Sequence, residues 1–120
     1  MSDLTMGVIE AKFAEIIWER EPITSAELVR ESEKLLSWKK STTFTVLKRL
    51  CEKGIFKNEG GKVSSLISRE EFYSLQSQRF VQENFSGSLP AFLAAFTSGK
   101  ALTKKEIDEL RHMVDSFEEG

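Results

Sequence analysis

The chain has 120 residues, 40% hydrophobic and 30% charged, with a net charge of -2, a composition that suits one globular domain or two small ones and excludes a disordered chain. No apolar run approaches the roughly 20 residues of a membrane span, and the N-terminus MSDLTMGVIEA lacks the charged head and apolar block of a leader, so a cytoplasmic protein without membrane insertion is expected. One cysteine, Cys51, and one histidine, His112, give neither an internal disulfide nor a cluster at metal-ligand spacing, and G-x-G-x-x-G, P-loop and G-x-S-x-G motifs are missing. An enzyme is the least supported class, and no cofactor or metal is expected.

In chain order, Phe13, Ile16, Ile17 and Arg20 follow the i, i+3, i+4, i+7 spacing of a helix face. They predict a first helix from near Gly7 to Trp18 or Arg20, ended by Glu21-Pro22. Thr24 and Glu27 have the T-x-x-E spacing of a capping box, so a second helix should run from there to about Leu35. After Ser37-Trp38-Lys39 comes KSTTFTVLKRL, residues 40 to 50. Here Thr43, Val46, Leu47 and Leu50 share one face and Ser41, Phe44, Thr45 and Lys48 the other, and Gly54 supplies a left-handed stop. Two strand-like runs, Ile55 to Glu59 and Lys62 to Ile67, flank Gly60-Gly61, which reads as a tight hairpin. Three helices and a β-hairpin make a winged helix-turn-helix, assigned to residues 1–68.

The remainder, residues 69–120, reads as helical. Ser68 with Glu71 and Thr103 with Glu106 are two more capping boxes, and Ser88-Leu89-Pro90 opens a short helix that ends near Gly99. The fold class is thus mainly α, a winged helix-turn-helix followed by a helical dimerisation region. Phe72, Phe80, Phe85, Phe92, Phe96 and Phe117 are six of the nine phenylalanines, joined by Leu75, Ile107, Leu110 and Val114. Three thin helices cannot enclose that much apolar surface alone, whereas the same surface of a second copy can, so a homodimer is expected through these residues. The competing placement packs them on the winged-helix domain.

The third helix crowds hydroxyls and an aromatic where a helix would prefer alanine, leucine or glutamate. It also opens the one strongly basic block, since residues 39–62 carry seven basic and two acidic side chains. A solvated helix face is the plain explanation of such a run. In a helix-turn-helix, however, the N-terminal part of the recognition helix meets base edges in the major groove, where short hydroxyls, lysine and an apolar group for the thymine methyl are useful. Ser41, Phe44, Thr45 and Lys48 offer that set. Phe44 could instead be core, and one of Ser41 or Thr42 could serve as the helix cap. Lys39, Lys40, Arg49 and, on the wing, Lys62 suit phosphates, which position a protein without reading sequence. Double-stranded DNA is the expected partner. Cys51 adjoins the inward stripe and reads as an inert core thiol, with a redox switch as the alternative; His112 reads as a solvated or interface side chain.

The run Ile16-Ile17-Trp18, Ile23-Thr24, Trp38, Thr42, Thr45, Leu47, Arg49-Leu50 and Lys53-Gly54, with a Gly-containing wing, resembles the penicillinase and methicillin-resistance repressors of the BlaI/MecI type. The similarity continues through Phe80, Phe85, Gly87-Ser88-Leu89 and Leu102-Thr103 to Glu106-Ile107-Asp108-Glu109-Leu110. The resemblance implies a dimeric repressor of resistance genes on a palindromic operator, relieved when a membrane sensor-protease that detects β-lactam causes cleavage in the dimerisation region. It places the cut at Ala95-Phe96, where the family's phenylalanine is kept and its asparagine is not. Other departures are Gly7, where the family has a capping polar residue, and the wing strand Val63-Ser64-Ser65-Leu66-Ile67, where the family is rich in aromatics. The paired C-terminal cysteines of copper-responsive relatives are missing. Two other functions remain open, a regulator that binds a small molecule in its aromatic C-terminal region and a winged helix used for protein-protein contact.

Overall fold

A computed structural model describes residues 6–119; residues 1–5, part of the stretch considered for a leader, and Gly120 lie outside the described residues. Helix α1 (Val8–Arg20) buries Phe13, Ala14, Ile16, Ile17 and Trp18. Gly7 has no side chain with which to cap it; instead Glu10 reaches back, its Oε1 accepting the Gly7 N–H at 3.2 Å. A two-residue strand β1 (Ile23–Thr24) leads into α2 (Ser25–Leu36), whose Thr24 hydroxyl accepts the Glu27 N–H at 3.1 Å, as the T-x-x-E spacing predicts. Ser37, in the left-handed region at φ 58°, closes α2. Then α3 (Lys40–Glu52) follows, and the hairpin of β2 (Phe56–Glu59) and β3 (Lys62–Ser65) forms the wing. Gly60 and Gly61 have φ of 59° and 85°. A two-residue loop with both positions left-handed matches the twist of the strands it joins.

The sheet has three antiparallel strands in the order β1-β3-β2, so the wing is longer by one edge than the two strands predicted from sequence. Two residues carry no alternation pattern, which is why β1 gives no signal of its own. Leu66 and Ile67, expected to continue the second strand, lie beyond its end.

Helices α4 (Arg69–Phe85), α5 (Leu89–Gly99) and α6 (Lys104–Glu119) complete the chain. Each starts at a predicted cap. Ser68 Oγ accepts the Glu71 N–H, Ser88 Oγ accepts the Ala91 N–H, and Thr103 and Glu106 exchange both bonds of a full capping box. The Thr103 backbone N–H first, then the Thr103 hydroxyl and the Lys100 charge, hold the Glu106 carboxyl below its ordinary value.

By its contacts the chain divides into two compact units, one up to Ser77 and one from Gln78. The first has a dry core of Phe13, Ile17, Ile23, Leu28, Leu50, Ile55, Phe56 and Val63, with Phe72 wholly enclosed among them. Trp18 ties this core together: its ring lies 5.4 Å from Phe56 and 5.6 Å from Phe72, and its indole N–H donates to the Ile67 carbonyl at 3.0 Å. The placement corrects one expectation. Phe72 was assigned to the dimer surface, yet it has 0% exposure and belongs to the winged-helix core. Arg69, 2.6 Å from Glu15, and Tyr73, whose hydroxyl donates to Glu15 at 3.3 Å, fasten the start of α4 to α1 around it.

In the second unit no residue of α5 or α6 is fully buried. Phe85 and Phe92 meet edge to face at 5.6 Å, with Phe80 6.1 Å from each and Phe96 6.3 Å from Phe92.

Candidate nucleic-acid interface

Helix α3 is seated by the face predicted to point inward, with Thr43, Val46, Leu47 and Leu50 all buried. The Thr43 hydroxyl spends its donor on the Lys39 carbonyl at 3.2 Å, which satisfies a polar group inside the core. Ser41, Thr42, Phe44, Thr45 and Lys48 are exposed together on the opposite side. Phe44, 36% exposed, lies outside the core. Thr45 donates its hydroxyl to the Ser41 carbonyl at 2.9 Å. Its oxygen lone pairs and its methyl remain for a partner, and those are groups that can meet a base amino group or a thymine methyl.

The helix begins two residues earlier than a Ser41 cap would require and three earlier than a Thr42 cap. Lys39 occupies the cap position with no side-chain hydrogen bond, so neither hydroxyl caps α3 and both stand in its first turn. Uncapped N–H groups and a partial positive charge at this end favour an anion, and exposed Lys39 and Lys40 add to that field. Lys48 is exposed one turn beyond Thr45.

Arg49, also exposed, pairs with Glu10 at 3.2 Å, which ties α3 to α1. Burial pushes the Glu10 carboxyl up, but the Gly7 N–H, the Arg49 guanidinium and the Lys53 charge outweigh it and hold the group below its ordinary value. Glu10 thus stays ionised, capping α1 with one oxygen and gripping α3 with the other. Cys51, half-buried on α3, has its thiol pushed up by burial and by the Glu52 charge. His112 is exposed on α6.

On the wing Lys62 is exposed, opposite Thr24 on β1 and Glu59 on β2. Among the described residues Lys39, Lys40, Lys48 and Lys62 have no carboxylate within 4.0 Å, whereas Lys57 pairs with Glu59 at 3.4 Å. Sequence reasoning missed the residues that shape the wing. The Asn58 side-chain carbonyl accepts the Gly61 N–H at 3.1 Å, a turn that the spacing N-E-G-G could have signalled. Glu21 bonds Ser65 from 44 residues away, and nothing local announces that contact.

Of the residues assigned to dimerisation, Leu75, Phe80, Phe96, Ile107, Val114 and Phe117 are exposed, Phe85, Phe92 and Leu110 are half-buried, and only Phe72 is enclosed. Ala95 and Phe96, the bond singled out for cleavage, are both exposed on α5.

A family model described as penicillinase repressor matches residues 6–116. The penicillinase repressor of Bacillus licheniformis is 26% identical over 110 residues, covering 88% of this chain and 86% of that protein. The methicillin resistance regulatory protein MecI of Staphylococcus aureus is 24% identical over 110 residues, with 88% and 89% covered. The penicillinase repressor of Staphylococcus aureus is 26% identical over 106 residues, with 85% and 84% covered.

Proposed function

The chain belongs to the penicillinase repressor family and is a transcriptional repressor, not an enzyme; from that premise we propose that it acts in the cytoplasm as a homodimer on a palindromic operator of a β-lactam-resistance-type operon. The observation that carries the DNA reading is the exposed face of α3, with Ser41, Thr42, Phe44 and Thr45 between lysines that have no carboxylate within 4.0 Å among the described residues. Lys39, Lys40 and Lys62 neutralise phosphates, and Ser41, Phe44, Thr45 and Lys48 read base edges. The boundary expected at residue 68 moves to Ser77, so that the DNA-binding domain keeps Phe72 in its core and dimerisation falls to residues 78–120.

These two classes of residue have different signatures. Lys40→Ala should weaken binding to all duplexes alike and lower the slope of log affinity against log salt by about 0.9. Thr45→Ala or Phe44→Ala should cost about 1 to 3 kcal/mol on the operator, shrink its preference over random DNA and leave the slope unchanged. Fluorescence anisotropy at several salt concentrations measures both. Equal losses on operator and random DNA for Thr45→Ala and Phe44→Ala would remove α3 from sequence reading.

Relief of repression follows a cut at Ala95-Phe96 brought about by a membrane sensor-protease. Both residues are exposed, and the cut would separate Ile107, Leu110, Val114 and Phe117 of α6 from Phe80 and Phe85 of α4, dividing the apolar surface on which the dimer depends. Mass spectrometry of the protein from β-lactam-treated cells should find the chain cut at this bond. An intact chain in cells whose target genes are derepressed would rule out this mode of relief.

A further inference from the structure

The edge of β3 that faces β1 is held at both ends, at the tip by main chain and at the base by a side chain. Strand β1 pairs with β3 through Ile23 opposite Val63 and Thr24 opposite Lys62. The register continues past the tip, where the Ser25 N–H donates to the Gly61 carbonyl at 2.7 Å. Continued toward the base of the wing, the same register sets Pro22 opposite Ser64 and Glu21 opposite Ser65. Pro22 has no N–H, so the ladder cannot proceed through it. The Glu21 side chain takes over: its Oε1 accepts the Ser65 N–H at 2.9 Å, and the Ser65 hydroxyl lies 2.7 Å from Oε1 and 2.9 Å from Oε2. A carboxylate acceptor makes these stronger than neutral hydrogen bonds. A hairpin of two short strands is marginal alone, and β1 covers only two residues of it, so the carboxylate completes the edge that a longer strand would supply.

From this geometry we infer that Glu21 is a positioning residue for DNA binding, fixing β3 so that Lys62 is presented to the phosphate backbone. The inference rests on the reading that Lys62 meets a phosphate. Strand β3 runs without a break from Ser65 to Lys62, about 10 Å at 3.4 Å per residue. Without Glu21, β3 keeps its pairing with β2, the bonds of the Leu66 and Ile67 N–H groups to the Ile55 carbonyl and the Trp18–Ile67 bond, but its β1-facing edge is free at the base, so the hairpin can shift against β1 and the direction of Lys62 shifts with it. Glu21 makes no contact with DNA in this account, and its own charge opposes binding. That charge makes the test decisive, because the two informative substitutions remove it equally.

Glu21→Gln keeps an acceptor for the Ser65 N–H, and its amide can donate to the Ser65 hydroxyl; Glu21→Ala keeps neither. The full-length Gln variant should bind an operator duplex at least as tightly as the natural chain, with the same salt slope. The Ala variant should bind more weakly than the Gln variant, with a slope lower by about 0.9, the value for one lost phosphate contact. Adding Lys62→Ala should lower the slope by that amount in the Gln variant and change nothing in the Ala variant. Amide hydrogen exchange at Ser65 should be faster in the Ala variant than in the Gln variant. Equal slopes for Gln and Ala, while Lys62→Ala alone lowers the slope of the natural chain, would overturn the positioning role and leave the phosphate contact standing. A Lys62→Ala slope equal to that of the natural chain would instead remove the phosphate contact beneath it. Equal exchange at Ser65 in the two variants would show that the carboxylate does not hold the strand.

Discussion

Replacing Phe72 by alanine is expected to destabilise the DNA-binding unit by about 3 to 5 kcal/mol, the range for a large aromatic lost from a packed core. The ring is fully enclosed, 5.6 Å from Trp18 and 5.3 Å from Tyr73, so its removal leaves a cavity that the surrounding side chains cannot fill without moving. Against a total stability of about 5 to 15 kcal/mol for a small domain, that loss removes a large share and brings a unit at the low end of the range close to unfolding. Truncation gives the same result in sharper form. A chain ending at Ser68 loses Phe72 together with Arg69 and Tyr73, which hold Glu15 of α1, and should not fold; a chain ending at Ser77 keeps all three and should. Urea unfolding followed by tryptophan fluorescence reports directly on Trp18, which lies against the missing ring. If the chain ending at Ser68 unfolds at the same urea concentration as the chain ending at Ser77, Phe72 is dispensable and this view of the core is wrong.

Phe72 also shows where reading the sequence reaches its limit. The helix that carries it was legible, because a capping box is a local signal and the Ser68–Glu71 bond forms where the spacing demands. Which body that helix packs against is a tertiary fact, and six phenylalanines in one segment look alike until the chain is folded. The inward face of α3 was legible because four residues at helical spacing can point only one way once the helix exists. The Arg49–Glu10 pair was hidden for the opposite reason, since its partners lie 39 residues apart. Likewise β1 has two residues and a meaning only beside β3, and Glu21 becomes part of the wing only through Ser65. The pieces that escaped were pairings across long sequence separations. Those are the contacts that fix where the recognition helix and the wing stand.

Phe117→Asp should convert the proposed dimer into a monomer and reduce affinity for a palindromic operator by about 10² to 10⁴-fold, the range lost when two linked sites become independent. Ile107, Leu110, Val114 and Phe117 recur along one side of α6, and their exposures of 37% for Ile107, 55% for Val114 and 72% for Phe117 are high for such apolar side chains. A stripe of this kind exposed to water is costly unless something covers it, and in a twofold dimer the same stripe of a second copy does. The exposure of Phe117 makes the substitution informative. Asp at this position removes little packing from a single chain, so at concentrations where both proteins are monomeric their unfolding midpoints should agree within about 0.5 kcal/mol, as for an ordinary surface change. In the dimer the same change would bury an unpaired carboxylate in each copy, which association cannot tolerate. Sedimentation velocity at micromolar concentration should therefore show one species of single-chain mass, and binding to a duplex with one half-site should match that of the natural chain. The contrast with Thr45→Ala is diagnostic, because that variant weakens each half-site and leaves the mass unchanged. A Phe117→Asp protein that still sediments as a dimer and holds the palindrome as tightly as the natural chain would exclude α6 from the interface.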